Sequence, residues 1–204
     1  MICYLVRHGK DDDTLRGGWS QQPLTDEGNA QAKELASFVQ RSDLRIKHIY
    51  SSDLPRAVQT AQPVADQLHL PIMQMPEFRE VNNGDLAGMK NELANRIYPG
   101  LYWNTLDWEE PYPGGESPRA FYERICTAWD AFQKMILKQN ENVLLVTHDL
   151  VGLQVCSQHL HRQGQGLCPL NAPNHVKSLH LHFFHEIPGR IAVIIDPCRK
   201  QIIF

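Results

Sequence analysis

The chain has 204 residues, with 20 Lys and Arg against 23 Asp and Glu and a formal net charge of -3. That length suits one α/β domain with a real core, no Pro/Gly/Ser-rich linker divides it, and the lack of a Lys/Arg cluster excludes nucleic acid as an expected partner. The start, Met1-Ile2-Cys3, lacks a basic segment and its apolar run stops at Arg7, too short for a signal peptide or membrane span, so a cytoplasmic protein with no membrane partner is expected.

Residues Ile2 to Val6 form a short apolar run, predicted as a buried strand that ends on Arg7-His8-Gly9. Pro23-Leu24-Thr25 leads into a helix with Thr25 as N-cap, Asp26 and Glu27 in its first turn, and Ala32, Leu35, Ala36 and Val39 on one face. A strand over 47–51 is followed by a cap at Ser52 or Asp53. The helix it starts runs to about His69, with Ala57, Ala61, Val64 and Leu68 at helical spacing. Residues 71–75 read as a third strand. Residues 76–116 are the least regular part, holding Gly84, Gly88, Pro99-Gly100 and a Pro/Gly-rich run to Gly115 among tryptophans and tyrosines. So long an irregular stretch in a compact domain is expected to be a lid or pocket wall rather than a linker. A long helix capped near Ser117-Pro118 places Phe121, Ile125, Ala128, Phe132 and Met135 inward and ends by 140–142. Val143 to Thr147 is a second apolar run, ending on His148. A helix to about His161 and two closing strands, 176–184 and 191–195, with antiparallel pairing at the sheet edge, complete the reading. Five cysteines (Cys3, Cys126, Cys156, Cys168, Cys198) at wide spacing indicate reduced, largely buried thiols.

Each apolar run thus delivers one histidine to the C-terminal end of a buried strand, where open α/β sheets place their chemistry. Between them, Arg56 stands in the first turn of a helix, against the helix dipole, a placement an anionic ligand would compensate. Two histidines and two arginines at strand ends suit a dianionic phosphoryl group. A lone histidine at a strand end would be read as a satisfied core residue; Arg7 beside His8 favours a nucleophile, since a neutral imidazole with its second nitrogen fixed attacks phosphorus. Arg7, Arg56 and His148 would meet the charge spread over the transferring group, with no metal motif in view.

Arg7-His8-Gly9, Arg56 with the Gln59-Thr60-Ala61 that follows it, Glu80, Gly114-Gly115-Glu116-Ser117 and Val146-Thr147-His148 stand in the order found in the histidine phosphatase superfamily, which includes cofactor-dependent phosphoglycerate mutases. The chain resembles that family over residues 2 to about 150. The resemblance implies a three-layer α/β/α sandwich with a mostly parallel central sheet, a single domain over 1–204, and residues 76–116 as an insertion covering the pocket. It also implies a metal-independent, cofactor-free phosphomonoesterase acting on a small phosphorylated substrate. His8 would be the nucleophile, with Arg7, Arg56 and His148 as phosphate ligands. Glu80 would be the acid that protonates the leaving oxygen and then the base for water. Glu116 is the competing carboxylate, in a segment that in this family more often structures the pocket rim.

Departures from the family pattern bear on substrate. Lys10, Asp11 and Thr14 stand where relatives carry Glu, Ser or Thr, and Asn. Lys10 and Trp19 are taken as substrate-binding candidates, Trp19 as an apolar wall. Asp11-Asp12-Asp13 would repel a second phosphate if it faced the pocket and is otherwise a solvated loop. Asp149 replaces a common Gly, and its side chain must turn away from the phosphate or oppose its binding. Glycerate mutases carry Glu-Arg-His-Tyr-Gly around the acid; Glu80-Val81-Asn82-Asn83-Gly84 argues against a mutase. A mutase-type phosphotransferase and a non-catalytic phospho-ligand-binding module are the alternatives, and oligomeric state is left open. His159, His161, His180, His182 and His185, with Glu186, are read as solvent-facing rather than as a metal site.

Overall fold

The computed structural model describes residues 1–152, 154–155, 194–196 and 201–203. Strands β1 (Cys3–Arg7), β2 (Ile46–Ser51), β3 (Ile72–Gln74), β4 (Asn142–Thr147), β5 (Ile194–Asp196) and β6 (Gln201–Ile203) form one sheet in the order β3-β2-β4-β1-β5-β6. Every neighbouring pair is parallel except β5 with β6. The closing strand expected over 191–195 is present as β5, parallel to β1 on one side and antiparallel to β6 at the sheet edge; β6 itself is a three-residue strand that the sequence did not signal. The stretch 176–184 lies outside the described residues, as does most of the helix expected after His148; residues 149–152 and 154–155 are helical.

Helices α1 (Asp26–Arg41), α2 (Pro55–Leu68) and α4 (Pro118–Gln139) cover the sheet, and a short helix α3 (Asn91–Ile97) lies between α2 and α4 in the chain. Because β1 and β4 are buried on both faces, their side chains sort by parity. Tyr4, Val6, Leu144 and Val146 pack with α1 and α2 through Leu35, Ala36, Val39, Ala57, Ala61 and Val64. Cys3, Leu5, Val143 and Leu145 face α4 through Ile125, Trp129 and Phe132. The result is the three-layer α/β/α arrangement.

Local signals explain most element ends. Thr25 caps α1, accepting from Gly28 N at 3.1 Å, and Ser117 caps α4, accepting from Ala120 N at 3.2 Å. The cap expected for α2 at Ser52 or Asp53 is not there: α2 starts at Pro55 with Leu54 as its uncapped N-cap residue, because proline at N1 pre-sets the helical φ. Asp53 is engaged instead by Arg79, through Nε at 2.6 Å. The stretch 76–116 holds more order than its composition shows, with α3 and short 3₁₀ turns at Pro76–Phe78, Gly84–Leu86 and Trp103–Thr105. Phe78, Val81, Leu86, Leu106 and Tyr112 from it are buried in the core on the α4 side. Among the described residues no helix is long and apolar enough to cross a membrane.

Candidate active site

The parallel pairing aligns the C-terminal ends of three strands. Arg7 is in register with Thr147, and Ser51 with Val146. The next residue of each strand is tied to its neighbour: His8 N donates to Thr147 O and Ser52 N to Val146 O, both at 2.9 Å. His8, Ser52 and His148 consequently meet at the C-terminal ends of three inner strands, and the two imidazoles lie edge to face with centroids 5.0 Å apart.

The orientation of His8 is fixed by its neighbour. Its Nδ1 lies 2.7 Å from Gly9 O. A carbonyl only accepts, so Nδ1 carries the proton and Nε2 keeps the lone pair. Arg56 Nε donates to that Nε2 at 3.2 Å. Gly9 itself is required by crowding: a Cβ there would meet Gly28 O of α1 at 2.7 Å. Its N–H donates to Thr60 Oγ1 at 2.9 Å, one turn along α2 from Arg56.

Arg56 is 1% exposed, a buried cation in the first turn of α2. Its guanidinium donates to Gly18 O at 2.8 Å and Ser20 O at 3.2 Å, so the 16–20 turn fixes its fork. His148 is equally buried, with Nε2 2.9 Å from Ser52 Oγ. Its Nδ1 is buried with no hydrogen-bond partner among the described residues. Burial first, then the charges of Arg56 and Arg7, push the His8 pKa well below the usual histidine range. His148 is lowered in the same direction by burial, by His8 and by both arginines. Both rings are neutral at pH 7.

Glu80 follows the 3₁₀ turn after β3. Its Oε1 accepts from Val81 N at 3.0 Å and its Oε2 faces Leu150 N at 3.4 Å, beyond His148. Burial is the main cause that raises its pKa to about 7, with Asp149 raising it further and Arg56 opposing. The backbone of Glu80 is held from two sides, its carbonyl accepting from Trp19 Nε1 at 2.7 Å and Arg124 Nη2 at 3.1 Å. Arg124 also donates to Glu77 O, Arg79 O and Glu116. Sequence reasoning missed Arg124, although it stands at helical spacing between Phe121 and Ala128, on the edge of the apolar stripe where a solvated arginine does not belong.

The remaining candidates separate. Trp19 is an anchor: besides its bond to the Glu80 carbonyl it is stacked by Arg79, 4.8 Å from the ring centre. Lys10 places its ammonium 3.4 Å from Glu27 on α1. Glu116 accepts from Asn82 N at 2.7 Å and pairs with Arg124 at 2.6 Å, whereas the Glu80 carboxyl faces Leu150 N, two residues after His148. Asp149 does not turn away from the arginines; its Oδ1 is 3.1 Å from Arg7 Nε. Of the acidic run, Asp12 caps Thr14 in solvent, whereas Asp11 lies 3.4 Å from Arg56 Nε. Cys3 is buried and Cys126 partly buried, its Sγ accepting from Gln154 Nε2 at 3.6 Å. The other three cysteines, His159, His161, His180, His182, His185 and Glu186 lie outside the described residues, and no group of three His, Cys, Asp or Glu placed to hold a metal occurs among the described ones.

A raised carboxyl pKa has a stability consequence. Between pH 4.5 and about 7 the folded chain holds a proton on Glu80 that the unfolded chain has released, so stability falls as pH rises through that window. A shift of this size corresponds to at most about 3 kcal/mol, and partial exposure at the pocket reduces it. Glu80→Gln is therefore expected to gain about 1–3 kcal/mol over the parent at pH 8 relative to pH 4.5, measured by urea denaturation. A pH-independent difference would contradict the placement of Glu80.

The geometry agrees with what known proteins show. Residues 3–182 match the model of the histidine phosphatase superfamily (branch 1). The chain is 32% identical over 150 residues to a Bacillus subtilis (strain 168) protein named as an uncharacterized phosphatase, PhoE, covering 72% of this chain and 70% of that one. It is 33% identical over 153 residues to phosphoglycerate mutase-like protein 4 of Arabidopsis thaliana, where the match covers 71% of this chain and 64% of that protein. Among solved structures, the α-ribazole phosphatase of Shigella flexneri superposes with a TM-score of 0.62 at 28% identity, over 78% of each chain. With its strand-end histidines, its sheet order and these matches in agreement, the chain belongs to the histidine phosphatase superfamily.

Proposed function

We propose that this protein is a metal-independent phosphomonoesterase that works through a phosphohistidine on His8 and acts on a small phosphorylated substrate. The observation that carries the reading is the state of His8: Nδ1 is committed to Gly9 O, and the lone pair of Nε2 points to the Arg56 guanidinium, accepting from its Nε at 3.2 Å. In the first step Nε2 forms a bond to phosphorus as the ester P–O bond breaks, and the leaving oxygen takes the proton of Glu80. In the second, water attacks phosphorus, gives its proton to Glu80, and the N–P bond breaks to release phosphate. A pKa of about 7 suits a group that must be acid in one step and base in the next.

His148 is the donor to the transferring oxygens. In this reading the Ser52 hydroxyl, which accepts from Leu54 N at 3.3 Å, donates to His148 Nε2, and the ring proton is carried by Nδ1, which is buried with no partner among the described residues. Arg7 and Arg56 supply the fixed positive charge, and residues 76–116 wall the pocket around the leaving group. Hydrolysis is favoured over mutase chemistry by the sequence after the acid, where Val81-Asn82-Asn83 replaces the Arg-His-Tyr of glycerate mutases.

The purified protein is expected to release phosphate from p-nitrophenyl phosphate and to select among metabolite phosphomonoesters in a kinetic screen. EDTA should leave the rate unchanged, because the arginines carry the charge, while vanadate should inhibit strongly by adopting the trigonal-bipyramidal shape of the transition state. Strict dependence on added Mg²⁺ or Zn²⁺ would sink this charge assignment. No phosphate release from any ester would favour a phospho-ligand-binding module.

A further inference from the structure

Both arginines of the proposed phosphate site carry a carboxylate. Asp11 Oδ2 lies 3.4 Å from Arg56 Nε, the N–H that also faces the lone pair of His8. Asp149 Oδ1 lies 3.1 Å from Arg7 Nε. The Asp11 side chain is 21% exposed and that of Asp149 55% exposed, so the two carboxylates stand at the opening of a site whose Arg56 side chain is 2% exposed. Lys10 is matched by Glu27, Arg79 by Asp53 and Arg124 by Glu116, while Arg16 is held by Asn95 and Tyr102. The groups that stand directly on the two phosphate-site arginines are therefore carboxylates.

We infer that Asp11 and Asp149 are specificity-determining residues that select phosphomonoesters whose leaving group is cationic or neutral and reject those bearing a second anion near the phosphate. The inference rests on the reading of Arg7 and Arg56 as phosphate ligands. A phosphoryl dianion replaces the carboxylates on the guanidiniums, because it offers more charge and more acceptor oxygens to the same forks. The displaced carboxylates remain within a few ångströms of the leaving group. There each one shifts affinity for a charged group by on the order of tenfold, favourably for a cation and unfavourably for an anion.

O-phosphoethanolamine and 2-phosphoglycolate form a matched pair of probes, of similar length but with an ammonium in one and a carboxylate in the other. Their dissociation constants for the His8→Ala protein, by calorimetry at low ionic strength, read the selection without turnover. O-phosphoethanolamine is expected to bind at least about tenfold more tightly, and Asp11→Asn and Asp149→Asn in that background should each move the ratio toward one. A loss of local structure would weaken both ligands together and leave the ratio unchanged. Equal affinities, tighter binding of 2-phosphoglycolate, no binding of either probe, or a ratio insensitive to both substitutions would overturn the inference. A preference for the anion would point to Arg16, which is held by Asn95 and stacked on Tyr102 rather than matched by a carboxylate. Turnover of p-nitrophenyl phosphate by the parent protein reports separately: selection without turnover refutes the phosphatase reading alone, and turnover without selection refutes the charge selection alone.

Discussion

Replacing His8 with alanine is expected to reduce phosphate release from every ester by roughly 10⁵-fold or more, since His8 is the group proposed to form the covalent intermediate. His148, the nearest alternative nucleophile, keeps its Nε2 on Ser52 and is 1% exposed. The fold should survive, because Arg56 retains its bonds to Gly18 O and Ser20 O and the strand pairing of β1 with β4 ends before His8. Circular dichroism and a cooperative thermal transition close to that of the parent protein would verify this. Turnover within tenfold of the parent by a folded His8→Ala protein would remove His8 from the mechanism.

Glu80→Gln tests the second chemical role, and its effect depends on the leaving group. Esters of alcohols leave as high-pKa alkoxides that need a proton, so their kcat/KM should fall about 10²–10⁴-fold. The phenolate of p-nitrophenyl phosphate departs with little help, and its first step should change far less. On that activated ester the substituted enzyme should accumulate phosphohistidine, since water has lost its base. In the parent, kcat/KM for alkyl esters should decline above about pH 7 as Glu80 loses its proton, and Glu80→Gln should remove that limb. Equal, small losses on both ester types, with Glu116→Gln giving the large differential loss, would transfer the role to Glu116. The pairing of Glu116 with Arg124 and Asn82 makes that outcome contrary to the geometry.

The parts of this site that were legible in the sequence are those that local patterning controls. A histidine that ends an apolar run stands at the C-terminal end of a buried strand, and both His8 and His148 do so. The Thr25 cap and the inward faces of α1, α2 and α4 follow from spacing alone. What was hidden depends on contacts between residues far apart in the chain. Ser52 reaches His148 across 96 positions, Arg56 reaches His8 across 48, and Trp19 reaches the Glu80 carbonyl across 61, none of which leaves a periodic trace. Helix α3 was read as irregular chain because seven residues give fewer than two full turns of pattern, and only Ala94 of them is buried. Asp11 shows the same limit from the other side: an acidic run looks uniformly solvated, yet Asp11 lies 3.4 Å from the buried guanidinium of Arg56.

The phosphohistidine itself is the most direct test. Parent protein mixed with ³²P-labelled substrate and quenched within milliseconds should carry label that is stable in alkali and lost in acid, and peptide mapping should place it on His8 Nε2. Glu80→Gln on an activated ester should raise the labelled fraction, and His8→Ala should abolish it. Label on another residue, or rapid turnover with no trapped label in the Glu80→Gln protein, would contradict covalent catalysis by His8.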